Sequence, residues 1–353
     1  MRTFRLATAA AAATLAMLAV GSASGGIADD VFTVHDLVGD TAGAAPVTDA
    51  SLVNGWGLSA GPTTPWWVSN NGTNTSTLYS GAGAKVALTV TVPGAPSGTV
   101  FNGSATDFIV SQNGKSGAAR FLFSTEGGTI LGWSPAVNAA TAIPGVDRSS
   151  TGSVYKGLTT MSDRLYATDF HNGRVDVFDA SFAPVTTAPF SDPNLPARYA
   201  PFGIQALAGS IFVTYAKQDG AKKDDAPGNG FGYVDQYTPD GTLVARVASG
   251  GRKNAPPNAP WGLAIAPSSF GVFSGDLLVG NFGNGRISAY QDRNGKWVFK
   301  GQLRHGDNTL VAIDGLWAIA FGNGAAGGPT TTLYFASGPS GESHGLFGSI
   351  TAG

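Results

Sequence analysis

Leu165-Tyr166-Ala167-Thr168-Asp169, the turn Phe170-His171-Asn172-Gly173 and Arg174-Val175-Asp176-Val177-Phe178 read as two short β-strands joined tightly. β-branched and aromatic residues suit a pleated, half-buried surface, and an Asn-Gly pair supplies the backbone freedom of the turn. The first strand recurs. Trp66-Trp67-Val68-Ser69-Asn70, Phe121-Leu122-Phe123-Ser124-Thr125, Ile211-Phe212-Val213-Thr214-Tyr215, Leu277-Leu278-Val279-Gly280-Asn281 and Leu333-Tyr334-Phe335-Ala336-Ser337 share its pattern. The fourth column of this alignment holds Ser69, Ser124, Thr168, Thr214, Gly280 and Ala336, all small, as needed where strands crowd toward a common axis.

A second strand follows each of these, in a register marked by Tyr79, Trp133, Phe178, Tyr237, Tyr290 and Ile350. The repeat, at roughly 45 to 60 residues, is the length of one propeller blade. A third class precedes the others: Trp56-Gly57-Leu58, Lys156-Gly157-Leu158, Phe202-Gly203-Ile204, Trp261-Gly262-Leu263 and Trp317-Ala318-Ile319, with a degenerate counterpart for blade two near Asp107-Phe108-Ile109. These read as innermost strands, where a glycine or alanine permits close approach and its bulky neighbour fills space between blades. Lys85 to Val92, Thr242 to Val247 and Trp297 to Leu303 supply outer strands. Blade six ends at Leu346 to Ile350 without a fourth strand, while Phe32 to Val38 is a strand without a blade. The expected fold is therefore all-β: a six-bladed β-propeller of four-stranded blades over 29–353, closed by the N-terminal strand, which also hides an edge.

Composition agrees with a buried, turn-rich chain. Among 353 residues there are 51 glycines and 20 phenylalanines, with 12% charged residues and a net charge of −2; no basic stripe points to nucleic acid. Arg2 and Arg5 precede an apolar run from Leu6 to Val20 and then the small residues 21–26, the pattern of a cleaved export signal over 1–28. The run is about 15 residues where a membrane span needs roughly 20. The expectation is a monomer secreted to the periplasm or medium, with no span after cleavage. The chain has no cysteine, so neither disulfides nor thiolate chemistry enter.

Asp169 to Phe178 and Asn281-Phe282-Gly283-Asn284-Gly285-Arg286-Ile287-Ser288-Ala289-Tyr290 resemble the core of NHL-type repeats. With Leu52 to Leu58, Ala259 to Ala264 and Gly345 to Ile350, the chain looks like a family of secreted bacterial conserved hypothetical propellers, and the resemblance covers nearly all of the mature chain. Some members carry a C-terminal PEP-CTERM sorting tail; this sequence stops at Gly353, which implies release rather than surface sorting. The family implies a fold and no activity.

Topology says where a site belongs. In an up-and-down blade, the loops leading into the inner strand and those joining second to third strands emerge on one face around the axis. Asn54, Asn70, Gln218, Asp219, Asp314 and Glu342 fall there as candidate ligand contacts for a small molecule, glycan or peptide. Glu126, Asp169 and Asn281 are the candidate ligands of a cation, since the similar-looking lactonase and gluconolactonase propellers hold calcium there through Glu, Asn and Asp; the alternative is that they cap turns. The cofactor stays open, with calcium the candidate. His171 and His344, at equivalent turns, read as an acid–base pair with Asp169 also a candidate catalytic residue, as ligands for a softer metal, or as solvated turn residues. Gly341-Glu342-Ser343-His344-Gly345 matches a nucleophile elbow in letters only, because a strand rather than a helix follows. Ala216 to Gly228 gathers charge in a long loop that becomes the specificity element if it covers the channel. Three functions stay open: ligand capture, metal-assisted hydrolysis of a lactone or ester, and an envelope scaffold.

Overall fold

The computed structural model describes Met1 and residues 31–186 and 189–353; the export signal read at 1–28 lies, beyond Met1, outside the described residues. The strands form six sheets around an axis, so the chain is a six-bladed β-propeller. The inner strands are Gly55–Ser59, Pro96–Phe101, Tyr155–Met161, Tyr199–Leu207, Pro260–Ile265 and Leu316–Phe321, in blades 1 to 6. Each begins an antiparallel meander outward. Blade 6 is completed by Phe32–Gly39, which runs antiparallel to Leu346–Ala352 from Phe32 opposite Ala352 to Gly39 opposite Leu346. Among the described residues no helix is long and apolar enough to cross a membrane.

Two expectations need correction. The inner strand of blade 2 is Pro96–Phe101, with Ser97-Gly98 in the repeated position, and Ile109–Gln112 pairs instead with Lys115–Ala118 as an inserted hairpin. Of the segment Asp107-Phe108-Ile109 read as that strand, Phe108 is buried with Val110 of the hairpin against blades 2 and 3, and Ile109 is exposed. Blade 3 has three strands, and a lone bridge from Phe178 to Pro184 stands in place of a fourth.

The bulky-residue–glycine pairs explain how the ring closes. Every inner strand is irregular at this point, its register with the second strand slipping across the pair, the mark of a β-bulge. A methyl group on Gly203 would sit 2.1 Å from the carbonyl oxygen of Trp261 in the next blade, and one on Gly98 would sit 2.5 Å from the Leu158 amide. Backbone thus rests on backbone around the axis. The small fourth column serves the bulge: the Thr168 hydroxyl accepts the Gly157 N–H at 2.7 Å and donates to the Phe202 carbonyl of blade 4 at 2.7 Å, and Thr214 accepts the Gly203 N–H at 2.8 Å. Between blades, aromatic pairs fill the wedge, such as Trp67 stacked on Phe121 at 4.2 Å and Tyr79 on Phe347 at 5.3 Å.

The bulky member of each pair does not lie between blades as expected. Bulging turns it toward the axis, where Trp56, Phe202, Trp261 and Trp317 join Phe170 and Phe282 in one cluster drawn from five blades. Phe202 of blade 4 reaches Trp317 of blade 6 at 5.8 Å. The axis is a packed aromatic plug.

Candidate functional site

The plug is the floor of the mouth, and its sixfold column is broken in one informative way. Where blades 1, 4, 5 and 6 place Trp or Phe and blade 2 the small Ser97, blade 3 places Lys156, 1% exposed. Its ammonium lies 4.7 Å from the Trp56 ring centroid and donates to Glu126 Oε1 of blade 2 and to Asp224 Oδ1, 3.0 Å away, in the long loop of blade 4. A buried ammonium needs such partners, because an unpaired one would shed its proton or unfold the site.

Asn54 organises the other side. Its Oδ1 accepts the indole N–H groups of Trp56 at 2.8 Å and Trp317 at 3.0 Å. Its amide nitrogen donates to Glu342 Oε2 at 2.7 Å and to Asn71 Oδ1 at 3.3 Å. Asn71 in turn donates to Glu126 Oε2 at 3.0 Å. One continuous network therefore runs Glu342, Asn54, Asn71, Glu126, Lys156, Asp224, drawing on blades 6, 1, 2, 3 and 4. Asn54 and Glu342 both adopt positive φ, 51° and 68°. Asn tolerates that region; Glu does so only when its surroundings hold it.

The carboxyl groups of this network differ in charge. Burial works to raise Glu126, but the Lys156 charge and the hydrogen bonds from Lys156 and Asn71 outweigh it and hold the group below the usual carboxylate range. Burial raises Glu342, more than the Asn54 bond and the Lys156 charge lower it. Asp225 is pushed up to about 7 by burial, with the charges of Glu342 and Asp224 adding and that of Lys156 opposing; its Oδ2 is buried without a hydrogen-bond partner. Around the buried Lys156 ammonium, which lies over the Trp56 ring, Glu126 is thus held below its ordinary range while burial raises Glu342 and Asp225.

The loop after Lys217 covers this network. Gln218 donates to the Phe170 carbonyl at 2.6 Å and bridges to Asp225, while Asp219 caps the loop's inner turn by accepting the Lys223 and Asp224 amides. Its return is pinned to blade 5, where Asn258 Oδ1 accepts the Gly228 N–H at 2.7 Å. Asp224 itself remains 58% exposed while holding a lysine that is 1% exposed. The loop is a cover fastened from outside.

The remaining sequence candidates are distributed differently. Asp169 accepts from Ser153, the Val154 and Asn172 amides, the Asn172 side chain and Arg174, closing its own blade's turn. Asn281 accepts the Asn258 N–H and donates to the Arg286 carbonyl. Glu126, Asp169 and Asn281 are therefore engaged with three separate sets of partners rather than with one another. Among the described residues no group of three or more His, Asp or Glu side chains is placed to hold a metal ion. Asn70 donates to Thr75 and Thr77, and Asp314 caps the blade 6 turn at the Ser340 amide. His344 pairs with Asp40, just past the closing strand, at 2.8 Å, whereas the ring of His171 lies beside Gly152 at the opening of blade 3. The two histidines have no partner in common. Sequence reading missed Lys156, Asn71, Asp224 and Asp225 as site residues; the available signal was Lys156, a cation in an otherwise largely aromatic column.

Fold and mouth together define a six-bladed propeller with an aromatic axis and a loop-covered polar face. Solved structures share the architecture: a streptogramin B lyase (12% identical, covering 93% of this chain and 99% of that one, TM-score 0.52), the soluble aldose sugar dehydrogenase of Escherichia coli in its apo form (14%, 91% and 99%, 0.54) and a Bacteroides thetaiotaomicron protein of unknown function (12%, 91% and 76%, 0.58). At these identities the likeness is one of fold. The chain belongs to the family of the uncharacterized proteins R648 and L690 of Acanthamoeba polyphaga mimivirus, being 33% identical to R648 over 304 residues (81% of this chain, 73% of that protein) and 32% identical to L690 over 288 residues (77% and 74%). It is also 34% identical to the mimivirus protein R640 over 230 residues, a match that spans 42% of that longer relative. No family model matches.

Proposed function

We propose that this chain is an exported ligand-binding propeller that takes a small hydroxyl-rich molecule, a sugar or short glycan, at the covered mouth. The observation that carries the reading is the pairing of an aromatic floor, Trp56 and Trp317, with a wall of carboxyl, carboxamide and ammonium groups on Glu342, Asn54, Asn71, Glu126 and Lys156. Ring faces stack on the apolar side of a sugar while fixed donors and acceptors read its hydroxyls. The exposed fastening of Asp224 supports the loop as the element that admits the ligand and closes over it. Export rests on the residues of the leading segment, Arg2 to Gly26.

Asp225 favours a second reading. A carboxyl group with a pKa near neutrality beside an ionised one is equipped to pass a proton, as hydrolysis of a bound glycoside or lactone requires. Calorimetric titration with a panel of mono- and oligosaccharides tests the first reading, using the wild type and Glu342→Gln. Saturable binding weakened roughly tenfold or more in the variant is expected; no heat from any saccharide rejects it. Turnover of a bound saccharide lost in Asp225→Asn would establish the second.

A further inference from the structure

We propose that the groove between blades 1 and 2, on the face opposite the mouth, binds a small amphiphile with an aromatic body and a carboxylate head. The groove encloses ≈ 540 Å³, within the ~300–1,000 Å³ of ordinary ligand pockets and too little for a folded partner. Its floor is a set of stacked rings: Phe121 lies 4.2 Å and Trp133 4.7 Å from Trp67 between centroids, and Phe101 meets Phe121 edge-on at 5.3 Å. Flat, rigid rings of this kind receive another ring with little loss of conformational freedom.

One wall is already fixed. Pro62 and Pro65 stand in the turn that closes the inner hairpin of blade 1, where Thr64 Oγ1 accepts the Gly61 N–H at 2.8 Å and Asn323 of blade 6 donates to the Gly61 and Thr64 carbonyls at 2.7 and 2.8 Å. The cavity is therefore preformed, and little ordering remains for a ligand to impose.

Arg120 lines the same groove and sets the ligand's charge. Its guanidinium lies 5.3 Å from the Phe101 centroid and donates one hydrogen bond, at 3.3 Å, to the Ser104 carbonyl; among the described residues it has no carboxylate partner. A guanidinium offers five N–H donors in a planar fork matched to a carboxylate. Four donors are left unused beside an aromatic floor, which is the complement of an aryl carboxylate. This site shares no residue with the covered mouth and does not depend on its reading.

Isothermal titration with 1-naphthylacetate, its neutral amide and acetate alone tests the assignment on the wild type, Arg120→Met and Gly103→Trp. A methyl group at Gly103 meets only Phe101 Cε1, at 3.6 Å, so an indole there occupies the groove without strain at its root. The acid binds one-to-one and roughly tenfold more tightly than the amide, and acetate alone gives no heat. Arg120→Met abolishes that preference while keeping amide binding, and Gly103→Trp abolishes both. Absence of binding, equal wild-type affinity for acid and amide, or unchanged affinity in Gly103→Trp overturns the proposal. Circular-dichroism melts report whether each variant is folded, and the acid–amide comparison on the wild type decides the matter even if one is not.

Discussion

Replacing Lys156 with methionine keeps the length of the side chain over Trp56 and removes its charge. Two partners are affected unequally. Asp224 is 58% exposed and regains water, so its share is small. The Glu126 side chain is 11% exposed and is left with the Asn71 donor alone. Breaking a buried pair on one side costs about 3–5 kcal/mol, and the surviving Asn71 bond places the expectation near the lower figure, about 3 kcal/mol. For a domain of this size that is a fall in Tm of roughly 4–5 °C. The pH dependence identifies the cause. In the wild type Glu126 titrates below its unfolded value, so its contribution is present above about pH 4 and fades as acid protonates the folded state. In the variant burial dominates, the folded pKa rises, and the deficit is largest at neutral pH and shrinks toward pH 4. Urea unfolding of wild type, Lys156→Met and Lys156→Met/Glu126→Gln across pH 4–8 measures this, with the double variant expected within about 1 kcal/mol of wild type. A deficit that does not change with pH, or a double variant no better than the single, refutes the account.

Gly203→Ala forces a Cβ against the Trp261 carbonyl at 2.1 Å, backbone meeting backbone, and should cost about 1–3 kcal/mol or more by urea midpoint, whereas Gly220→Ala, with nothing within 4 Å, should leave it unchanged. Burial pushes Asp225 up to about 7, above its unfolded value of about 3.9, so the stability tied to its protonated form is full below about pH 4, falls as pH rises from there and is lost once pH has passed about 7. Amide exchange of residues 218–226, corrected for intrinsic rate, should therefore quicken from pH 5 to 7 and level off above that in the wild type, and show no such transition in Asp225→Asn. His344→Ala should lower stability by no more than about 1 kcal/mol, because its bond to Asp40 is made from a side chain that is 45% exposed; a larger loss in thermal melts would mean that the closing strand depends on it.

The ring was legible because its requirements repeat. A small residue that bridges the bulge and a glycine that lets backbones touch are needed in nearly every blade, and these columns stand in the sequence. Blade 2 escaped because Ser97-Gly98-Thr99 lacks the aromatic that marks the other inner strands, although its glycine meets the same constraint. The site was legible only as a set of loops. Asn54, Glu126 and Glu342 do meet in one network, but sequence cannot say which Asp or Asn side chains are consumed by turn and loop backbone, Asp169 by its own turn and Asn281 and Asp314 by neighbouring loops. Lys156 and Asp224 lie 68 positions apart, and only the curvature of the ring brings such residues together.

The strand that completes blade 6 joins segments far apart in sequence; the His35 ring meets the Thr351 hydroxyl, 316 positions away, at 3.4 Å. Phe32, at its start, is held between Phe270 and Phe273 of blade 5 at 5.1 and 5.8 Å, so the same strand also clasps two blades together. Until Phe32–Gly39 and Leu346–Ala352 pair, the outer edge of blade 6 and the leading strand are both open to other chains. Closing the ring and shielding both of these edges are therefore one and the same pairing event.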